Sequence, residues 1–355
     1  MVKIDCLNYS IYFHSESYSE LNRYLTENQT NISAVFILTD RNTNEYCLPI
    51  LMANSILSEV EIIEIEEGEI NKNIETCTLL WDTLSELGAD RNSLLINLGG
   101  GVITDMGGFV ASTFKRGIRY INIPTTLLSQ VDASIGGKTG IDLGYLKNQV
   151  GVFSFPDMIL IDVQFLQTLD QRQLKSGFAE MLKHGLIIDK THWKTLNYAY
   201  KDLDYDQLKN LIYDSILIKK KIVENDPKEK GMRKILNFGH TIGHGIESSL
   251  LNTKNQLLHG ESIAIGMICE AYISYKTTGL SKEEMNEIKT SILTIFPKVN
   301  SSIFDLDSIL NYILHDKKNI KGAFKFSLLS KIGLCEFNHP STTTLIKESF
   351  DFYKS

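Results

Sequence analysis

The segment RKILNFGHTIGHGIE, residues 233–247, carries Arg233, Asn237, His240 and His244. The last three follow Arg233 by 4, 7 and 11 residues. On an α-helix those offsets share one face, so the spacing predicts a single helix with a polar stripe. Ile235, Leu236, Phe238, Ile242 and Ile246 occupy its other sides. A helix apolar around most of its circumference is buried, and a polar stripe buried with it must face something polar. Gly239, Gly243 and Gly245 each cost a helix interior roughly 1 kcal/mol relative to alanine, which points to close approach by a ligand or another backbone. With Glu180 in SGFAEMLKHG and His259 in LHGE, the histidines form a Glu/His set suited to zinc or a similar divalent ion. A catalytic site needs three protein ligands and an open position, which leaves one of His240, His244 and His259 for substrate. Spacing alone does not choose among them. The bland alternative is a group of core histidines satisfied by carbonyls, with one buried ion pair.

Glu180 and Lys183 stand at i and i+3, placing a potential metal ligand beside a cation. Further cations and amides lie in GGKT (Lys138), LKN (Lys147, Asn148), ILIKKK (Lys219) and HDKK (Lys317, Lys318). Each lysine alone reads as a solvated charge. Converging on one pocket of an acidic protein, they imply a small, multiply anionic substrate. SLLINLGGGVITDMGGFVAS reads as a buried strand, then Gly99, Gly100 and Gly101, then a helix beginning near Ile103. Glycines at such a turn let the backbone approach a pyrophosphate, whose charge the unpaired N–H groups at the helix start stabilise. Thr104 stands where GxGxxG would need its third glycine. Asp40, ending FILTD, and the Glu69/Lys72 pair offer polar contacts to a bound adenosine or ribose.

The elements that must position these groups change character along the chain. Short β-branched runs at 33–39, 61–65, 93–98, 120–124 and 158–162 alternate with amphipathic stretches, which predicts an α/β layer with a mainly parallel sheet. Beyond about residue 165 helical patterns dominate, apart from FKFSLLS at 324–330. Two domains are therefore expected, 1–165 and 166–355, a division that 355 residues can supply with two real cores. Lys and Arg number 36 against 43 Asp and Glu, a net charge of -7 that argues against nucleic acid or an anionic membrane as partner. No apolar run approaches the roughly 18 residues of a spanning helix, and the first residues lack a signal-peptide pattern, so a cytoplasmic protein is expected. Five scattered cysteines without a CxxC pair encode neither a disulfide framework nor a thiolate zinc site.

GGGVITDMGGFVASTFKRG, IPTTLLSQVDASIGGKTGID, LKN, GFAEMLKHG, RKILNFGHTIGHGIE, LHGE and DKK, in order from about residue 36 to 330, closely resemble the 3-dehydroquinate synthase family. The resemblance implies an N-terminal α/β Rossmann-like domain that binds NAD and a mainly α-helical C-terminal domain that binds metal and substrate, in a homodimer. It places the metal, zinc or cobalt, on Glu180, His240 and His259, with His244 facing substrate. It maps NAD contacts to Asp40, Glu69, Lys72, Gly100, Gly101, Asp105, Thr125 and Leu128, with Lys138 and Lys147 adjoining. Catalytic or substrate contacts map to Arg116, Asp132, Lys138, Lys147, Asn148, Lys183, Lys219, Arg233, Asn237, His244 and one of Lys317 and Lys318, with Lys318 favoured.

The reaction implied by the resemblance turns a phosphorylated sugar acid, 3-deoxy-D-arabino-heptulosonate 7-phosphate, into 3-dehydroquinate and phosphate, a carbon–oxygen lyase step of aromatic amino acid biosynthesis. Transient oxidation by NAD, phosphate elimination, re-reduction, ring opening and aldol closure make up the cycle, so NAD is regenerated. Tyr145 and Leu146 replace the proline or glycine often found before KN, which puts the seating of the Lys147 loop in question. Alternatives on the same scaffold are valiolone- or inosose-type cyclases and metal-dependent glycerol-phosphate or alcohol dehydrogenases.

Overall fold

Runs rich in Ile, Leu and Val, flanked by residues that start helices, build a seven-stranded sheet in the first half of the chain. The computed structural model describes residues 3–144, 146–200, 204–251, 253–315 and 324–355. They fall into two units, Met1–Asp170 and Gln171–Ser355.

In the first unit the elements are β1 (Lys3–Asp5), β2 (Ser10–Phe13), α1 (Ser15–Glu27), β3 (Val35–Asp40), α2 (Arg41–Tyr46), α3 (Leu48–Asn54), β4 (Glu61–Ile65), α4 (Ile74–Glu86), β5 (Leu94–Gly99), α5 (Gly101–Thr113), β6 (Arg119–Pro124), the hairpin β7 (Lys138–Leu143) and β8 (Leu146–Phe153), and β9 (Met158–Ile161). The sheet runs β1-β2-β9-β6-β5-β3-β4, parallel except for β1. Five of its parallel strands, β3, β4, β5, β6 and β9, have the doubly wound order 2-1-3-4-5, whose switch point lies between β3 and β5, and β2 adds a sixth beside β9. Strand side chains alternate faces, so Phe36, Leu38 and Leu95 pack under α4 and α5 with Leu80, Met106 and Phe109, while Ile37, Leu94 and Ile96 pack under α1 and α3 with Leu21 and Leu51. Burial on both faces explains why these strands read as continuous apolar runs. The hairpin β7/β8 was not legible as strands, because Gly140 and Gly151 face each other in it and interrupt the pattern.

The second unit comprises α6 (Gln171–Ile188), α7 (Lys190–Ala199), α8 (Tyr205–Asn225), α9 (His240–Leu250), α10 (His259–Thr277), α11 (Lys282–Ile295), α12 (Leu306–His315), β10 (Phe324–Lys331), β11 (Leu334–Ser341) and α13 (Thr343–Lys354). Helices α6 and α10 are buried along most of their length and pack against each other.

One expectation fails here. Residues 233–244 do not form one helix: Met232–Asn237 is a 3-10 turn, and α9 begins only at His240. Between them Gly239 adopts φ 80°, a left-handed conformation that ends one helix and starts the next. The glycines serve backbone contact, one of the two expected reasons. A Cβ on Gly239 would lie 2.5 Å from Met267 Cγ, and one on Gly266 would lie 2.0 Å from the Gly239 carbonyl oxygen. The helix after the glycine-rich turn likewise begins at Gly101 rather than near Ile103. Among the described residues no helix is long and apolar enough to cross a membrane.

Candidate active site

In the second unit three helices bring a carboxylate and two imidazoles to a point. Glu180, fully buried on α6, has one oxygen, Oε1, 3.3 Å from His240 Nε2 at the start of α9 and 3.3 Å from His259 Nε2 at the start of α10. One ligand atom from each of the three lies within 4.8 Å of the others. Bonds of about 2.1 Å to a tetrahedral ion imply ligand atoms about 3.4 Å apart, a spacing that the two Glu180–histidine distances match. The other Glu180 oxygen contacts the buried Lys183 ammonium one helical turn along. Burial alone would raise the Glu180 pKa, but Lys183 and then His240 outweigh it and hold the carboxyl well below its ordinary value.

The far side of each imidazole is also held. His240 Nδ1 is 3.1 Å from the Phe238 carbonyl oxygen, an acceptor that requires the proton on Nδ1 and turns the Nε2 lone pair toward Glu180. His259 Nδ1 is 3.2 Å from Oε2 of Glu247, a buried carboxylate on α9. A carboxylate behind a ligating histidine orients the ring and raises its basicity. Burial and then the Lys183 charge lower the His240 pKa to about 4. For His259 burial pulls downward, but Glu247 and Glu180 prevail and raise it to about 10. His244 stands beside both, its ring centroid 5.1 Å from that of His240 and 5.8 Å from that of His259.

Two further cations of this unit, Arg233 and Lys219, are buried. Arg233 is buried and donates from Nη1 to the Pro227 carbonyl at 2.7 Å. Asn237 donates to Glu229 Oε1 at 2.7 Å. The Asp226 carboxylate accepts from the N–H groups of Lys230, Gly231 and Arg233, fixing the turn before the 3-10 segment. Lys219 is buried on α8, which packs on α6.

In the first unit the expected nucleotide residues gather at the C-terminal edge of the sheet. Gly99 ends β5, Gly100 caps α5 without a side chain, and the Thr125 N–H donates to the Gly99 carbonyl at 3.0 Å from the end of β6. Asp40 ends β3 across the switch point, where its carboxylate caps α2 by accepting from the Thr43 N–H at 2.8 Å. Leu128 immediately precedes the π-helical turn Ser129–Ala133, which carries Asp132.

Beside this edge lies a buried ion cluster. The Lys72 ammonium donates to Asp105 Oδ2 at 2.6 Å and to Asn148 Oδ1 at 2.8 Å, and Lys147 pairs with Glu69 at 2.5 Å. Burial would lower the Lys72 pKa, but Asp105, Glu69 and Asp142 raise it above its usual value. Asn148 has φ 52°, and its N–H donates to Asp142 Oδ1 at 2.6 Å. Burial raises the Asp142 carboxyl despite the opposing pull of Lys72.

One expected site residue of the first unit stands apart from the nucleotide edge. Arg116 follows α5 at the N-terminal edge of the sheet, and the 13 residues of that helix separate it from Gly100 by roughly 20 Å. Lys138 pairs with Phe153 at one end of the hairpin, while Lys147 lies at the other, roughly 15 Å away along the strands. Lys317 and Lys318 lie outside the described residues, as does Tyr145.

Sequence reasoning missed Glu247 and Asp142. Glu247 follows His240 by seven residues and His244 by three, so helical spacing carried a signal for it. Asp142 had none.

Fold and site place the chain among the sugar-phosphate cyclases. A 2-deoxy-scyllo-inosose synthase complexed with carbaglucose-6-phosphate, NAD+ and Co2+ superposes with a TM-score of 0.85 at 26% identity, covering 98% of each chain. A 2-epi-5-epi-valiolone synthase from Streptomyces hygroscopicus with NAD+ and Zn2+ bound gives 0.84 at 25%, covering 100% of this chain and 99% of that one. The family models of the N-terminal and C-terminal regions of 3-dehydroquinate synthase match residues 62–176 and 177–319. A 3-dehydroquinate synthase of Parabacteroides distasonis is 43% identical over 337 residues, 95% of each chain, and that of Dictyoglomus turgidum is 37% identical over 353. The chain belongs to the 3-dehydroquinate synthase family of enzymes.

Proposed function

We propose that this chain converts 3-deoxy-D-arabino-heptulosonate 7-phosphate to 3-dehydroquinate and phosphate, using NAD and one divalent ion, zinc or cobalt. The observation that carries this reading is the convergence of Glu180, His240 and His259, with Glu180 Oε1 3.3 Å from the Nε2 of each imidazole, beside a buried lysine. When bound, NAD supplies a reversible hydride acceptor and the ion a Lewis acid at the alcohol undergoing oxidation.

The chain's own residues supply binding, orientation and charge. Glu180, His240 and His259 hold the ion, with Glu247 fixing the ring of His259. His244 faces the substrate. Lys183, Lys219, Arg233 and Asn237 in the second unit, with Lys138, Lys147, Asn148 and Asp132 in the first, bind the carboxylate, the phosphate and the ring hydroxyls, and positioning is their main contribution. The open N-terminus of α5 at Gly100 and Gly101 receives the NAD pyrophosphate, with Asp40, Glu69, Lys72, Asp105, Thr125 and Leu128 around the nucleotide. The first unit is thus the NAD-binding domain and the second the metal-binding domain. Arg116 is left out of the single-chain set because α5 carries it to the opposite sheet edge. A cytoplasmic homodimer completes the reading.

Incubation with the heptulosonate phosphate, catalytic NAD and Zn2+ or Co2+ tests it. Phosphate released in step with 3-dehydroquinate, without NADH accumulation, is the expected result. NADH formed in proportion to product would instead identify a dehydrogenase.

A further inference from the structure

We infer that Glu270, a residue outside the proposed ligand and substrate sets, is a positioning residue for the metal trio, acting through the backbone that presents His240. This rests on the reading of Glu180, His240 and His259 as metal ligands.

Helix α9 begins with His240 as its first residue, and the first N–H groups of any helix lack intrahelical acceptors. Ordinarily a Ser, Thr, Asp or Asn at the capping position supplies one. Here that position is Gly239, which has no side chain to offer. A Cβ there would strike Met267, and φ is 80°, so a side-chain cap is excluded by the packing of α9 on α10.

Glu270 replaces the missing cap from the neighbouring helix. It is fully buried on α10, and its two oxygens accept from both sides of His240. The Gly239 N–H donates to Oε2 at 2.6 Å and the Ile242 N–H to Oε1 at 3.1 Å. A carboxylate is also the charge that a helix N-terminus favours. Gripped at the residue before it and two residues after it, His240 has a fixed backbone. Its ring is fixed in turn by the Phe238 carbonyl. The Nε2 position opposite Glu180 is therefore set by Glu270 without Glu270 touching the ion.

Glutamine at this position keeps the size but presents an NH2 to one of the two N–H donors, so one bond is lost and the other loses its charge. The test measures Co2+ affinity by chelator competition and the visible d–d absorption bands of bound Co2+ for wild type, Glu180→Ala, Glu270→Gln and Glu270→Asp, alongside circular dichroism and NAD binding. The expectation for Glu270→Gln is Co2+ binding weaker by about 10- to 100-fold, the range for residues behind metal ligands. Altered d–d bands and unchanged NAD affinity should accompany it, and Glu270→Asp should be intermediate. If the glutamine variant does not fold, the aspartate variant carries the same comparison. Wild-type Co2+ affinity and spectrum in whichever variant is folded, even with a lowered melting temperature, would overturn the positioning role while leaving the trio intact. Co2+ binding unaffected by Glu180→Ala would overturn the trio and this inference together.

Discussion

Glu247 Oε2 lies 3.2 Å from Nδ1 of His259, on the side of the imidazole opposite the nitrogen that faces Glu180. Each His259 nitrogen thus meets a carboxylate, one proposed as a metal ligand and one that turns the ring. Replacing Glu247 with Gln should leave the fold and NAD binding intact and weaken Zn2+ binding by about 10- to 100-fold. Chelator competition against wild type reads this directly, and equal Zn2+ affinity would show that Glu247 serves packing alone.

Lys72 and Asp105 form a pair at 2.6 Å, with the lysine nearly inaccessible. Lys72→Ala leaves Asp105 without its main cation and removes a donor from Asn148. A loss of about 3 kcal/mol in stability is expected, together with weaker NAD binding. Urea unfolding and NAD titration measure the two effects, and a variant as stable as wild type would mean that Asp105 finds another partner.

Arg233 belongs to the second unit, whereas the proposed nucleotide residues belong to the first. Arg233→Ala should raise the substrate KM by about 10- to 100-fold, the worth of a hydrogen bond to a charged group, and leave the NAD dissociation constant unchanged. Equal losses in both would assign Arg233 to structure rather than to anion binding.

His192 is buried against Ser215 at 3.0 Å, and burial followed by the neighbouring His184 charge lowers its pKa to about 4. Between its ordinary value near 6.5 and about 4 the unfolded chain binds a proton that the folded chain refuses. Stability therefore falls as pH drops through that window, by at most about tenfold in the folding equilibrium per pH unit from this residue. Denaturation of wild type and His192→Asn at pH 7.5 and 5 should show a shallower loss in the variant. Identical slopes would place the acid sensitivity elsewhere.

Much of the fold was legible because its central strands are buried on both faces. The apolar runs at Val35–Asp40 and Leu94–Gly99 have no competing helical period, whereas Glu61–Ile65, at the sheet edge and largely exposed, was legible from its β-branched isoleucines. Strands β1 and β2 escaped notice because three or four residues carry too little pattern, and β11 because its outward side chains are polar. The helix read across Arg233–His244 failed at Gly239, where tertiary contact with α10 decides the backbone and local spacing says nothing. Glu180, His240, His244 and His259 were found because Glu/His chemistry is rare enough to stand out. Glu270 was overlooked although it is the lone charge in the apolar run IAIGMICEAYI; its role appears only when α9 is laid against α10.

The central claim is that one divalent ion is shared by Glu180, His240 and His259. Anomalous diffraction at the zinc edge from crystals of the Zn2+-loaded protein tests it most directly. A single peak at about 2.0–2.2 Å from Glu180 Oε1, His240 Nε2 and His259 Nε2, with His244 outside bonding distance, is the predicted result. A peak bonded to His244 in place of either histidine, or no peak beside Glu180, would contradict the account.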